Sequence, residues 1–266
     1  MKVWWILALG LVAQPAWADD AAMQKMRTAV ERGDLDEAGR QGELAGPAVV
    51  EQVLRGHDRA AQIAAIAAAP AVEDAAELLP ALARLASGPD RRTAIPAARA
   101  AWTIARAIGK RDPIDDVATE QLADDRARWV ALAGDRDRWI ELRVAALATA
   151  AALAAPELGY ELAPMLADPD PDLRAAAIAL IPQPTAAALR APLVETLLHD
   201  ADDRVALAAA QALCADLVAD PPAPILDALG EPGLAKIRTL VAMKASPGPI
   251  RDATRCLSAR PAAGHH

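Results

Sequence analysis

The sequence predicts an all-α solenoid of about six stacked helical pairs, on three observations. The chain of 266 residues is 54% hydrophobic but only 3% aromatic, with no Phe and one Tyr, so its core is built from small aliphatic side chains. Ala, the strongest helix former, is the commonest residue, while β-branched and aromatic strand formers are few. A turn followed by an Ala-rich amphipathic helix also returns every 30 to 45 residues, the period of helix-pair repeats, in which no pair buries its apolar face alone. This composition argues against a β-sandwich, a β-barrel or a Rossmann-type sheet.

In chain order, residues 1–18 come first. Met1 and Lys2 form a short positive start, Val3 to Val12 is uncharged, and Ala16-Trp17-Ala18 places small residues three and one positions before Asp19. That is the pattern of a secretory signal peptide cut after Ala18. Gln14 and Pro15 end the apolar run well short of the roughly 20 residues that span a bilayer. No Cys follows to carry a lipid anchor, and no later stretch is long and charge-free. The mature chain is expected in the periplasm or secreted, with no membrane insertion after signal cleavage. Residues 19–48 carry Met23, Met26 and Val30 at helical spacing, then Gly33-Asp34, then a second helical segment, which reads as an N-terminal capping pair.

Residues 49–220 hold the repeats. The clearest, Asp168-Pro169-Asp170-Pro171-Asp172-Leu173-Arg174, is a proline-closed turn with an acidic N-cap, and Ala176, Ala177 and Leu180 continue a helical apolar stripe. Related starts occur at Asp58-Arg59, Arg99-Ala100-Ala101, Asp137 with Leu142-Arg143, and Asp202-Asp203 with Val205 and Ala208. Aligned on the Arg position they fall at 59, 99, 143, 174, 206 and 238, where position 206 is Ala. Each is preceded by another apolar-periodic segment. Pro-rich breaks at 219–224 and 245–249 set off residues 221–266 as a short final repeat and a capping helix. A compact Ala-rich bundle is the rival arrangement.

The Asp-Pro-Asp-Pro turn leading into Leu-Arg and an Ala-rich helix resembles the second half of a HEAT repeat. In that family the turn Asp and the helix Arg form ladders between neighbouring repeats. The resemblance implies such a role for Asp168 or Asp170 with Arg174, and for Asp137 with Arg143. It is close over 157–213 and looser over 50–156.

The charge, 28 Lys and Arg against 36 Asp and Glu for a net of −8, makes nucleic acid a poor partner. The arginines read as interspersed with Asp, as at 124–126 and 135–138, rather than gathered into a basic stripe. No Gly-x-Ser-x-Gly, His-Glu-x-x-His or Gly-rich phosphate loop occurs, and only Ser87, Ser246 and Ser258 offer serine hydroxyls. His57-Asp58 and His199-Asp200 stand at turns before repeat helices. Deoxyhypusine hydroxylase, an enzyme on a HEAT-like fold, binds iron through His-Glu pairs, but here two pairs replace four and Asp replaces Glu. Both Asp are expected N-caps instead. His265-His266 read as an exposed tail. Trp102, Trp129 and Trp139 cluster around the longest repeat interval and serve either as an aromatic binding patch or as core filling for a longer repeat. Tyr160 is read as core. The two cysteines, Cys214 and Cys256, are either a disulfide fastening the end of the array or two buried thiols.

The expected function is non-catalytic: a scaffold or adaptor that binds another protein through a helical-repeat surface, with no cofactor and no metal. The alternative is a HEAT-like enzyme or cofactor lyase, of metal or bilin type, that uses His57, His199 and nearby acids.

Overall fold

A computed structural model describes residues 16–109, 116–153, 158–181, 187–215, 223–243 and 250–258. Among them the regular structure is entirely helical. The chain opens with α1 (Ala16–Glu31) and α2 (Leu35–Ala45), continues with α3 (Pro47–Arg55) and α4 (Arg59–Ala68), then α5 (Leu79–Ala86) and α6 (Arg91–Ile108). Next come α7 (Asp116–Gly134) with α8 (Ile140–Ala152), α9 (Leu158–Leu166) with α10 (Pro171–Ala179), and α11 (Ala187–His199) with α12 (Asp203–Ala215). The last unit is α13 (Ala223–Met243), broken at Gly230 by a φ of +55°, and α14 (Ile250–Ser258). No described helix is long and apolar enough to cross a membrane.

Contacts follow a solenoid, not a bundle. Successive even-numbered helices pack on one another from α2 to α14, α3, α5 and α7 and then α9, α11 and α13 pack behind them, and each pair closes on itself. Every contact of substance is therefore with the same repeat or the next, as in a quasi-one-dimensional array. The protein is an all-α solenoid of stacked helical pairs.

Local sequence starts the helices where the turns allow. Asp34, Asp58, Asp90 and Asp170 each accept a hydrogen bond from a first-turn N–H of α2, α4, α6 and α10 at 2.9–3.2 Å, an N-cap worth about 1 kcal/mol apiece. Pro47 and Pro171 stand at the first helical position, where no N–H is required. Gly33 (φ +74°) turns α1 into α2, and Gly46 (φ +80°) turns α2 into α3.

A single core runs the length of the array, from Met26 to Cys256. Its even-helix seam is almost all Ala: Ala64, Ala65, Ala97, Ala98, Ala101 and Ala146 are at most 1% exposed. Small residues let the backbones approach closely, and Gly42 marks the tightest place. A Cβ there would lie 2.6 Å from the Cβ of Ala68 on α4. Gly42→Ala is thus expected to destabilise by about 1–3 kcal/mol through overpacking, although Ala is the better helix former. A thermal melt that rises in this variant would contradict the close α2–α4 packing.

The repeat register needs one correction. Taken from the observed helix starts, the fourth helical residues are Gln62, Ala94, Arg143, Arg174 and Ala206. Arg59 is the first residue of α4, Arg99 lies midway along α6, and Arg238 lies in α13. The extra length sits between α6 and α8, in the repeat containing the 19-residue α7.

Candidate functional site

Among the described residues the even-numbered helices α6, α8 and α10 line a hollow. Its floor is small and apolar, with Val144, Ala145 and Ala148 from α8 and Ala176, Ala179 and Leu180 from the end of α10. Trp102 and Arg99 of α6 form one wall, and Glu141 and Asp172 stand at the rim. The hollow is open to solvent and holds about 520 Å³. It exists because the residues three and four apart on facing helices are Ala where a core would carry Leu. Two further recesses, about 440 Å³ beside Trp102 and Arg106 and about 550 Å³ beside Arg92 and Arg99, extend it along α6.

Trp102 is 38% exposed, an unusual state for the largest apolar side chain. The Arg106 guanidinium lies 5.9 Å from its ring centroid, a cation–π contact. Along the same face run Arg92, Arg99 and Arg106 at intervals of seven, all exposed. This is a basic stripe, contrary to the reading of arginines dispersed among acids: α6 has four arginines and no carboxylate. Arg91 pairs with Glu141 at 2.6 Å. The Glu141 carboxyl is held below its ordinary value chiefly by its own backbone N–H, against burial that pushes it up, and further by Arg91 and Arg99.

The three tryptophans do not form one patch. Trp129 is fully buried in the core, and its indole N–H has no hydrogen-bond partner. Trp139 precedes α8 at its N-cap and packs half-buried against the core. Only Trp102 reaches solvent at the hollow. The side chain of Tyr160 and both His265 and His266 lie outside the described residues.

His57 and His199 are exposed and belong to two different repeats, His57 in the α3–α4 turn and His199 as the last residue of α11. His199 Nε2 is 3.7 Å from Glu195 of its own helix. Among the described residues no three His, Cys, Asp or Glu side chains converge on a possible metal position. Asp58 does cap α4, but Asp200 does not cap α12: Asp202 takes that place, accepting from the Arg204 N–H at 2.8 Å.

The inter-repeat ladder is real but runs to different partners than the resemblance implied. Arg143 donates to Asp168 of the next turn, 25 residues on, and its Nε donates to the Ala133 carbonyl at 2.9 Å. Arg174 repeats this with Asp200, donating through Nε and Nη2 at 2.8 Å each, while its Nη1 donates to the carbonyls of Asp168 and Pro169. Asp137 takes no part with Arg143; its N–H donates to Asp135. Asp170 pairs with no arginine and is a cap. The helix Arg thus reaches forward to the following repeat, and the receiving Asp also accepts the N–H two residues on, from Asp170 or Asp202. Gln62, in the same register, is too short to reach onward and donates to the carbonyls of Leu54 and Gly56. Ala206 ends the ladder.

One acid differs. Asp125 on α7 is 6% exposed, and burial pushes its carboxyl above the ordinary range, opposed by Arg128. A raised folded-state value means that stability falls as pH rises through it. Asp125→Asn is therefore expected to leave the melting temperature at pH 7 unchanged or raise it by a few degrees; a fall of several degrees would show the carboxylate to be a net stabiliser.

The structure bonds Cys214 of α12 to Cys256 of α14, with Cα atoms 5.3 Å apart and both side chains within the core. No free cysteine remains.

No family model matches the chain, and no curated protein matches it. Among solved structures it is similar to an engineered protein with TM-score 0.55 and 19% identity, over 91% of this chain and 68% of that one. A second engineered protein matches at 0.48 and 19%, over 91% and 95%. The complex of CpcE and CpcF of phycocyanin lyase from a Nostoc species matches at 0.41 and 15%, over 96% and 98%. At these identities the first supports the helical fold alone, and the other two fall below the score at which a likeness carries an argument.

Proposed function

We propose that the chain is a non-catalytic scaffold that binds another protein through the face formed by α6, α8 and α10, and that it works in the periplasm or outside the cell. The helical-repeat fold suits a binding scaffold, since it presents a long surface held rigidly by packing behind it. The observation that carries the reading is the hollow itself: an exposed Trp102 beside a floor of Val144, Ala148 and Ala176. An apolar recess with an aromatic wall and a charged rim is the anatomy of an interface centre. The signal-like residues 1–18 support the compartment.

Affinity capture from a periplasmic extract tests this, comparing the mature wild type with Trp102→Ala. A protein captured in stoichiometric amount by the wild type and lost with the variant supports the reading. No captured protein, or one retained undiminished by the variant, overturns it.

A further inference from the structure

We propose that the hollow receives an acidic segment of the partner: one apolar side chain seated between Trp102 and Leu180, with flanking carboxylates against Arg92, Arg99 and Arg106. This rests on the protein-binding reading above and gives the bound segment its chemistry.

Charge complementarity argues for it. The chain is net −8, yet α6 contributes Arg91, Arg92, Arg99 and Arg106 with no acid of its own. Among the described residues Arg91 is the one of the four that forms an ion pair, with Glu141, and Arg99 adds a longer-range attraction to the same carboxylate. Among the described residues neither Arg92 nor Arg99 has a carboxylate within ion-pairing distance, and Arg106 faces the Trp102 ring. An acidic segment is repelled by the surface at large and attracted here, which selects the place and speeds the encounter. The seven-residue spacing of Arg92, Arg99 and Arg106 sets successive guanidiniums about 10 Å apart along the helix, which matches carboxylates seven residues apart on one face of a partner helix.

The apolar floor argues for a peptide rather than a nucleic acid. The small aliphatic floor gives bases nothing to stack on, and a single exposed Trp offers no run of stacking platforms. Nor does the chain's own tail suit: residues 259–266 carry an arginine and no acidic side chain.

The test is fluorescence anisotropy with the mature protein and three labelled probes: a peptide of about 15 residues alternating Glu pairs with single Leu, the same peptide with Lys for Glu, and oligothymidylate of similar length. The acidic peptide should bind at least about tenfold more tightly than either control and weaken as salt rises. Arg99→Glu with Arg106→Glu, and separately Trp102→Ala, should each weaken it by at least about tenfold, with unchanged circular dichroism. Equal or tighter binding of the Lys peptide or the oligonucleotide overturns the proposal, as does an undiminished affinity in both variants. A partner still captured from extract by the double arginine variant would leave the scaffold reading standing and remove the acidic-segment assignment alone.

Discussion

Replacing Arg143 with Ala is expected to lower the stability of the mature protein by about 3–5 kcal/mol, the cost of stranding one member of a buried ion pair. Both side chains are 5% exposed, and the guanidinium is satisfied on two sides, by the Asp168 carboxylate and by the Ala133 carbonyl. Truncation removes these donors and leaves Asp168 in the core with the Asp170 N–H still donating to it and the exposed Arg136 guanidinium 3.9 Å away. Arg174→Ala should cost less, about 2–3 kcal/mol, because Arg174 keeps 15% of its side chain in water and hydrogen bonds to a charged group are worth about that much. Arg59→Ala provides the control. Its pair with Asp90 is exposed on both sides, 49% and 38%, and such pairs are worth less than about 1 kcal/mol. Equal losses at all three positions in denaturant melts would contradict the burial argument.

The same pairs set an acid limit. Burial pushes the carboxyls of Asp168 and Asp200 up, but hydrogen bonds from Arg143 and Arg174 and from backbone N–H groups outweigh it and hold both below the ordinary value. A depressed folded-state value contributes stability that is fully present above the unfolded-state value near 4 and is lost as pH falls through the folded one. The melting temperature should therefore drop as the pH goes below about 4, and Asp168→Asn should flatten that drop.

Reduction of the Cys214–Cys256 bond is expected to destabilise the C-terminal end by about 3–4 kcal/mol, from the loop entropy regained by a 42-residue separation. The end of an open array has a neighbour on one side only, so α14 depends on α12 and on this bond more than any internal helix depends on its own contacts. Native-state hydrogen exchange with and without dithiothreitol should show faster exchange in α12 to α14 and little change in α4 to α8. The Cys214→Ala and Cys256→Ala double variant should behave as the reduced protein does. Uniform loss of protection along the whole chain would show instead that the array unfolds as one unit. Two reactive thiols in denatured, unreduced protein would show that the bond is not made.

How far the sequence spoke depends on the length scale of each feature. Turn caps at Asp58 and Asp170 are local, set within three residues by N–H groups that need an acceptor, and they are legible. The Ala-rich faces likewise announce close helix packing before any contact is seen. The ladder's direction is not local: whether Arg143 meets Asp137 or Asp168 depends on how far one repeat leans over the next, and a guanidinium can reach either way. Asp200 looked like a cap because it precedes a helix, but the true cap lies two residues later at Asp202, with Asp200 turned to Arg174. Trp102, Trp129 and Trp139 seemed one group because they are near in sequence, yet burial separates them by helix face. The stripe of Arg92, Arg99 and Arg106 was legible through its seven-residue spacing. It is overlooked when charge is judged from neighbouring residues rather than from a helical face.

The claim that the α6–α8–α10 face is the docking surface is tested most directly by site-specific photo-cross-linking in the intact compartment. A photoreactive amino acid is placed at position 102 or 144 on that face, or at position 195 on α11 as a control. The account predicts a discrete protein adduct from 102 and 144 and none from 195, with the cross-linked partner peptide rich in Asp and Glu. Adducts from 195 alone, or no adduct from 102 and 144, would contradict it.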